Sequence, residues 1–273
     1  MKYSFWSFSL FILLSACQEQ PVEIPRLTNN GSGNTATEKK VLIEEFTGAS
    51  CPNCPTGAAE IQSLQAIHGE RLVAVAIHAG YFAKKTAESK YDFLTADGSS
   101  IEKFLGEPEG YPAAVVDRKE VDGLLQISGA VSKWAGIIAE ELQEKVKVGI
   151  KIKNNFDPAN RQLSTTITLN PTETIAEPLA LTVYITENNI IDAQKNQTTI
   201  IKDYTHRHIF RKALTAAIGT PLTETFSNGA TITRNFTYAL PSDWNADNCS
   251  IVAFVSSVGA SKKVLQVEET KVK

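Results

Sequence analysis

The sequence predicts an α/β domain followed by an all-β antiparallel sandwich, on two observations. Between residue 41 and about 145, short apolar runs alternate with segments of helical period; from 146 onward, apolar and polar residues alternate with period two. The first pattern calls for parallel strands joined by crossover helices. The second calls for half-buried strands packed as two sheets.

In the first half, Val41-Leu42-Ile43-Glu44-Glu45-Phe46 reads as a short strand. From Pro52 to His68, residues Ala58, Ile61, Leu64 and Ile67 recur at helical spacing, and Gly69 supplies a helix stop. The run Leu72 to His78 is almost unbrokenly apolar, as expected of a strand covered on both faces. Together these form a strand-helix-strand unit with parallel strands and a right-handed crossover. Ser99 or Ser100 is placed to cap a helix containing Ile101, Phe104 and Leu105, stopped by Gly106. A strand resumes behind a proline at Tyr111-Pro112-Ala113-Ala114-Val115-Val116. A closing helix with Trp134, Ile138 and Leu142 on one side falls between Ser128 and Glu144.

In the second half, Val146-Lys147-Val148-Gly149-Ile150-Lys151-Ile152-Lys153 places an apolar residue at every even position. Leu163, Thr165, Ile167 and Leu169 alternate likewise, as do Leu181, Val183 and Ile185. Further strands are expected at 198–203, 206–211, 231–238, 250–257 and 263–270. The segmentation is then 41–145 for the α/β domain and 146–273 for the sandwich.

The chain begins Met1-Lys2, runs apolar from Phe5 to Leu14 and reaches Leu14-Ser15-Ala16-Cys17. A basic start, an apolar stretch and small residues before a cut describe an export signal, residues 1–16. The stretch is too short to span a membrane, which takes about 20 apolar residues. Leu-Ser-Ala-Cys resembles the lipobox of bacterial lipoproteins, which makes Cys17 a lipid attachment point and the membrane a partner through that lipid. Several acyl chains, at about 0.8 kcal/mol per buried methylene, hold a protein stably on a bilayer. Residues 17–40, rich in Pro, Gly, Asn, Thr and Ser, read as a tether. A formal net charge of −3, without any run of Lys and Arg, offers no nucleic-acid surface, and 42% apolar residues exclude a disordered chain. No cofactor is implied.

With Cys17 set apart, three of the four cysteines remain. Cys249 lies in an apolar stretch and reads as a small buried hydrophobe. Cys51 and Cys54 form a close pair at a predicted helix start, in a compartment where disulfides persist. Helix N-termini stabilise thiolates, so Cys51 is a candidate exposed nucleophile and Cys54 a candidate resolving thiol. Pro52 suits the first helical position and Pro55 is tolerated in the first turn. The same pair serves equally as a permanently oxidised structural disulfide. A zinc half-site would need two further ligands that no nearby Cys or His pair supplies, so no metal is assigned. His206 and His208 would share a strand face and form a possible metal pair; a polar face is the plainer reading. Tyr238 and Trp244 are candidate binding aromatics, with core packing as the alternative.

A Cys-x-x-Cys at a helix start after a buried strand resembles the thioredoxin-like fold. That resemblance implies a catalytic role for Cys51 and Cys54, proton exchange with the resolving thiol at Glu45, six residues before Cys51, and a cis peptide bond before Pro112 facing the dithiol. Ser50 departs from the tryptophan usual in thioredoxins proper.

Taken in order, Glu44-Glu45-Phe46-Thr47-Gly48 before Cys51-Pro52-Asn53-Cys54-Pro55, Tyr91-Asp92-Phe93, Gly110-Tyr111-Pro112 with Asp117-Arg118, and Tyr204-Thr205-His206-Arg207-His208 resemble the twenty-eight-kilodalton outer-membrane lipoprotein family of the Bacteroidetes. The resemblance implies an outer-membrane lipoprotein with a thioredoxin-like domain and a C-terminal β-domain of immunoglobulin-like sandwich type. Two functions follow from it. One is a thiol-disulfide oxidoreductase acting on thiols or disulfides of exported proteins. The other is a non-catalytic, adhesin-like or structural lipoprotein, in which Cys51–Cys54 is a structural disulfide and the β-domain contacts a protein or glycan.

Overall fold

The computed structural model describes Met1 and residues 38–273. The export signal, Cys17 and nearly all of the tether lie outside the described residues. Within them, β1 (Val41–Thr47) and β2 (Leu72–His78) run parallel, in register from Val41 opposite Leu72 to Thr47 opposite His78. They are joined by α1 (Cys54–His68), which stops where Gly69 takes a positive φ of 58°. Helix α2 (Ala96–Leu105) is capped by Thr95, whose hydroxyl accepts the Gly98 N–H, rather than by Ser99 or Ser100. Strands β3 (Ala113–Val116) and β4 (Ile127–Ser128) and helix α3 (Ser132–Glu141) follow.

Ten more strands complete the chain: β5 (Val148–Asp157), β6 (Gln162–Pro171), β7 (Leu179–Glu187), β8 (Ile190–Asn196), β9 (Thr199–His206), β10 (Ile209–Ala213), β11 (Thr220–Leu222), β12 (Ile232–Ala239), β13 (Cys249–Ser257) and β14 (Val264–Lys271). They do not stay together. Strands β14, β13, β7 and β10 continue directly into β2, β1, β3 and β4, and with β11 alongside β7 they make one nine-stranded mixed sheet. Strand β10 makes the join, pairing parallel to β2 at Ile209 opposite Ala76 and antiparallel to β7. Strands β12, β6 and β5 form a separate three-stranded sheet, and β8 with β9 a two-stranded hairpin.

The expected fold class, a thioredoxin-like α/β domain followed by an immunoglobulin-like sandwich, is therefore corrected. The chain is mainly β, and strands from both halves share one mixed sheet. The alternation in β7 explains the error. Leu181, Val183 and Ile185 look like the single buried face of a sandwich strand, yet Thr182, Tyr184 and Thr186 on the other face are buried as well. Strand β13 is likewise buried at every position. Polar residues on a strand covered twice mimic a solvent face, so period two does not distinguish an outer sandwich strand from a central one.

Three apolar clusters hold the layers together. One face of the large sheet packs Leu42, Phe46, Val73 and Ile77 with Tyr184, Phe210 and Phe254 beneath α2. The opposite face divides. Val41, Ile43 and Leu72 meet α1 and α3 through Ile61, Leu64, Trp134 and Ile138. Leu181, Val183 and Ile251 meet the three-stranded sheet through Ile150, Leu163 and Ile167. Between these two regions, Ala76 of β2 and Ile209 of β10 pack on Phe93, with Ile190 of the β8–β9 hairpin against them.

Two buried ion pairs tie the loop after β3 into this frame. Lys39 pairs with Asp117, which also accepts the Leu42 N–H at 2.8 Å. Burial, offset in part by Lys39, raises the Asp117 carboxyl to about 6. Arg118 forks onto both oxygens of Glu44 at 2.9 Å, lying over Phe254 and Phe104. No helix among the described residues is long and apolar enough to cross a membrane.

Candidate functional site

Strand β1 delivers the cysteine pair through the turn Gly48–Asn53, and α1 begins at Cys54, with Pro55 in its first turn. Pro52 therefore lies ahead of the helix instead of opening it. Cys51 and Cys54 are joined as a disulfide with a Cα–Cα separation of 5.4 Å. Cys51 is 1% exposed and Cys54 2%, so the expectation of an exposed nucleophile at Cys51 is corrected.

The cover is the β8–β9 hairpin. The Gln194 amide, itself 3% exposed, donates to the carbonyls of Gly48 and Cys51, both at 3.1 Å. The Lys195 N–H donates to Ala49 O and the Gln197 N–H to Pro52 O, each at 2.8 Å. The Gln197 side-chain amide donates to Asn53 Oδ1 at 3.0 Å. Four of the six carbonyls from Gly48 to Asn53 are thus bound by the hairpin.

Glu45 and Pro112 lie beneath α1, where Gly57 makes room for both. A Cβ on Gly57 would come within 2.6 Å of Glu45 Oε1 and 2.8 Å of Pro112 Cβ. The Tyr111–Pro112 bond is cis, as expected. Glu45 is buried, its Oε1 has no partner, and desolvation raises its carboxyl to about 8, so it is mainly neutral at pH 7. Glu45 and Cys54 line one cavity of about 30 Å³, together with Thr47, Ala76, His78 and His206.

The histidines do not form the expected pair. Strand β9 ends at His206, and His208 takes a positive φ of 54°, so the two rings diverge. His206 turns toward His78, with ring centroids 5.8 Å apart, and His208 Nε2 lies 2.9 Å from Gln65 Oε1. Burial pushes His206 and His208 down to about 4 and His78 well below the ordinary imidazole range, leaving all three neutral at pH 7. Among the described residues, no group of three or more His, Cys, Asp or Glu side chains is arranged to hold a metal ion. Trp244 and half-buried Tyr238 belong to the core cluster of the three-stranded sheet.

Sequence reasoning missed Phe93, Asp192 and Gln194 as organising residues. Phe93 packs edge-on against His78 at 4.9 Å and against His206 at 5.0 Å, so Tyr91-Asp92-Phe93 and Tyr204 to His208 meet in space. Asp192 accepts the N–H groups of Lys90 and Tyr91 at 2.8 and 2.9 Å, which anchors the other side of the hairpin. Asp192 and Gln194 stand in a polar stretch without periodicity, and nothing local marks them.

Among solved structures, the fold is similar to HBP35 of Porphyromonas gingivalis, with a TM-score of 0.68 at 22% identity over 88% of this chain and 77% of that one. It is also similar to a protein from Agrobacterium tumefaciens, with a TM-score of 0.53 at 12% identity over 86% of this chain and 96% of the other. A domain of the outer membrane lipoprotein Omp28 from Porphyromonas gingivalis is similar over 47% of this chain and 89% of its own length, at 22% identity and a TM-score of 0.34. No protein with a curated description matches. The family described as outer membrane protein Omp28 matches residues 106–273, well over half of the chain. The chain therefore belongs to the Omp28 family of outer membrane proteins, and its place is the outer-membrane envelope.

Proposed function

We propose that this is a non-catalytic outer-membrane lipoprotein, anchored through Cys17, in which Cys51–Cys54 is a structural disulfide and the β-rich region presents a surface to a protein partner. The observation that carries this reading is the near-complete burial of both sulfurs under a hairpin that hydrogen-bonds the surrounding turn. Thiol-disulfide exchange needs an attacking thiolate to reach a sulfur, and access governs its rate. A sealed pair instead shapes the turn. The hairpin favours the binding role: Ile191, Ile200 and Ile201 on its two strands are each at least 36% exposed, apolar side chains that burial would favour.

The test is a Cys51→Ser, Cys54→Ser double variant, with stability matched by working at lower temperature. It is expected to reach the outer membrane at the wild-type level and to leave the thiol-disulfide state of other envelope proteins unchanged. A shift in the oxidation of those proteins, with localisation and fold intact, would overturn the reading. For the anchor, Cys17→Ser is expected to abolish incorporation of labelled fatty acid and release the chain from the membrane fraction; retention of label would refute it.

A further inference from the structure

Strands β8 and β9 pair only with each other and belong to neither of the other sheets. A lone two-stranded hairpin is at best marginally stable in water, so what holds this one is what it sits on. On one side it rests on Asp192, which binds the Lys90 and Tyr91 N–H groups, and on His206 against Phe93. On the other it rests on the carbonyls of Gly48, Ala49, Cys51 and Pro52, all within or beside the ring that the disulfide closes. Both cysteines are closed to solvent, each residue being at most 2% exposed.

We propose that Cys51–Cys54 is a redox latch for the β8–β9 hairpin: the disulfide holds the turn carbonyls in the arrangement that seats Gln194, Lys195 and Gln197, and its reduction unseats the hairpin and, with it, the exposed side chains Ile191, Ile200 and Ile201. The step needs a dithiol reductant, which reaches the pair while the hairpin is transiently open. One of its thiolates attacks a sulfur of the pair, forming a mixed disulfide as the other cysteine leaves and takes up a proton. The reductant's second thiol then displaces the remaining cysteine and closes its own disulfide, so that two electrons and two protons end on Cys51 and Cys54. Two unbonded sulfurs must stand farther apart than bonded ones; the cavity beside Cys54 is small, about 30 Å³, and Cys51 does not line it, so the turn that carries Cys51 has to move. The latch goes beyond a purely static staple. It rests on the proposed function only for the use made of the hairpin surface.

The test is amide hydrogen exchange on the full chain, oxidised and then reduced with dithiothreitol. Exchange at Lys195 and Gln197, whose N–H groups bind the cysteine turn, is expected to accelerate at least about tenfold on reduction, the loss expected for a hydrogen bond or two, while β7 and β13 stay protected. Unchanged protection at Lys195 and Gln197 overturns the latch and leaves a structural disulfide standing. Equal loss of protection in β7 and β13 also overturns it, since the disulfide would then be a global staple. As a second measure, Gln194→Ala removes two of the seating bonds and should speed reduction by dithiothreitol about tenfold or more with the sheets still protected; a rate equal to wild type would count against the seat. Partners captured through Cys51 would contradict the non-catalytic reading without touching the latch.

Discussion

Glu44 and Glu45 are neighbours on one strand and face opposite sides of the large sheet, where they meet opposite electrostatic solutions. Glu44 is gripped by both arms of Arg118, with Phe254 and Phe104 against the guanidinium. Burial disfavours that guanidinium's charge, but Glu44 more than offsets it, and the Arg118 pKa rises. Among the described residues no cation pairs with Glu45, and desolvation raises its carboxyl to about 8. Glu44 belongs to the framework that joins β1, through Arg118, to Phe254 of β13. Glu45 belongs to a pocket of neutral, poorly partnered polar groups closed over by the hairpin. One strand thus carries a rigid joint on one face and a soft region on the other, and burial alone does not distinguish them; partnership does.

The comparison breaks most severely at Arg118. Arg118→Met leaves the Glu44 carboxylate buried without a partner, and denaturant unfolding should show a loss of about 3–5 kcal/mol. On the other face, the sign comes from the raised Glu45 pKa. The folded chain keeps a proton that the unfolded chain releases, so this group's contribution is full below the unfolded value of 4.5 and is lost as pH rises toward about 8. Relative to Glu45→Gln, wild type should lose up to about 1.4 kcal/mol per pH unit across that window and level off above it. His206 and His208, lowered to about 4, act in the opposite direction below pH 6.5, and subtracting the two unfolding profiles cancels them. Removing the disulfide with Cys51→Ser, Cys54→Ser is smaller: closing so short a ring constrains the unfolded chain by only about 2 kcal/mol. Smallest is Thr95→Ala, which deletes the α2 cap and should cost about 1 kcal/mol, with no change at the cysteine turn.

Much of this was legible in the sequence, because local chemistry fixed it. Periodicity placed β1, α1, β2, α2 and most later strands, while the cis bond before Pro112 was expected only from the thioredoxin-like resemblance. Three things were not local. The join at Ile209 and Ala76 links positions far apart in the chain, and nothing in a short apolar segment states which strand will be its neighbour. The second face of β7 is lined by Thr182 and Thr186, which read as solvent-facing until the opposite layer is present. The burial of Cys51 depends on Gln194 and Gln197, residues of a polar hairpin with no pattern of their own. The chemistry of the cysteine pair was visible in the sequence, whereas its accessibility was decided elsewhere.

Whether a partner reaches Cys51 decides between a sealed disulfide and a working dithiol. The direct measurement is a Cys54→Ser chain expressed in its own cells, quenched with acid, alkylated and resolved without reductant. A sealed structural pair predicts the monomer alone, with Cys51 recovered as a slowly alkylated thiol. A set of reductant-sensitive adducts linked through Cys51 would contradict it and make the pair a working dithiol.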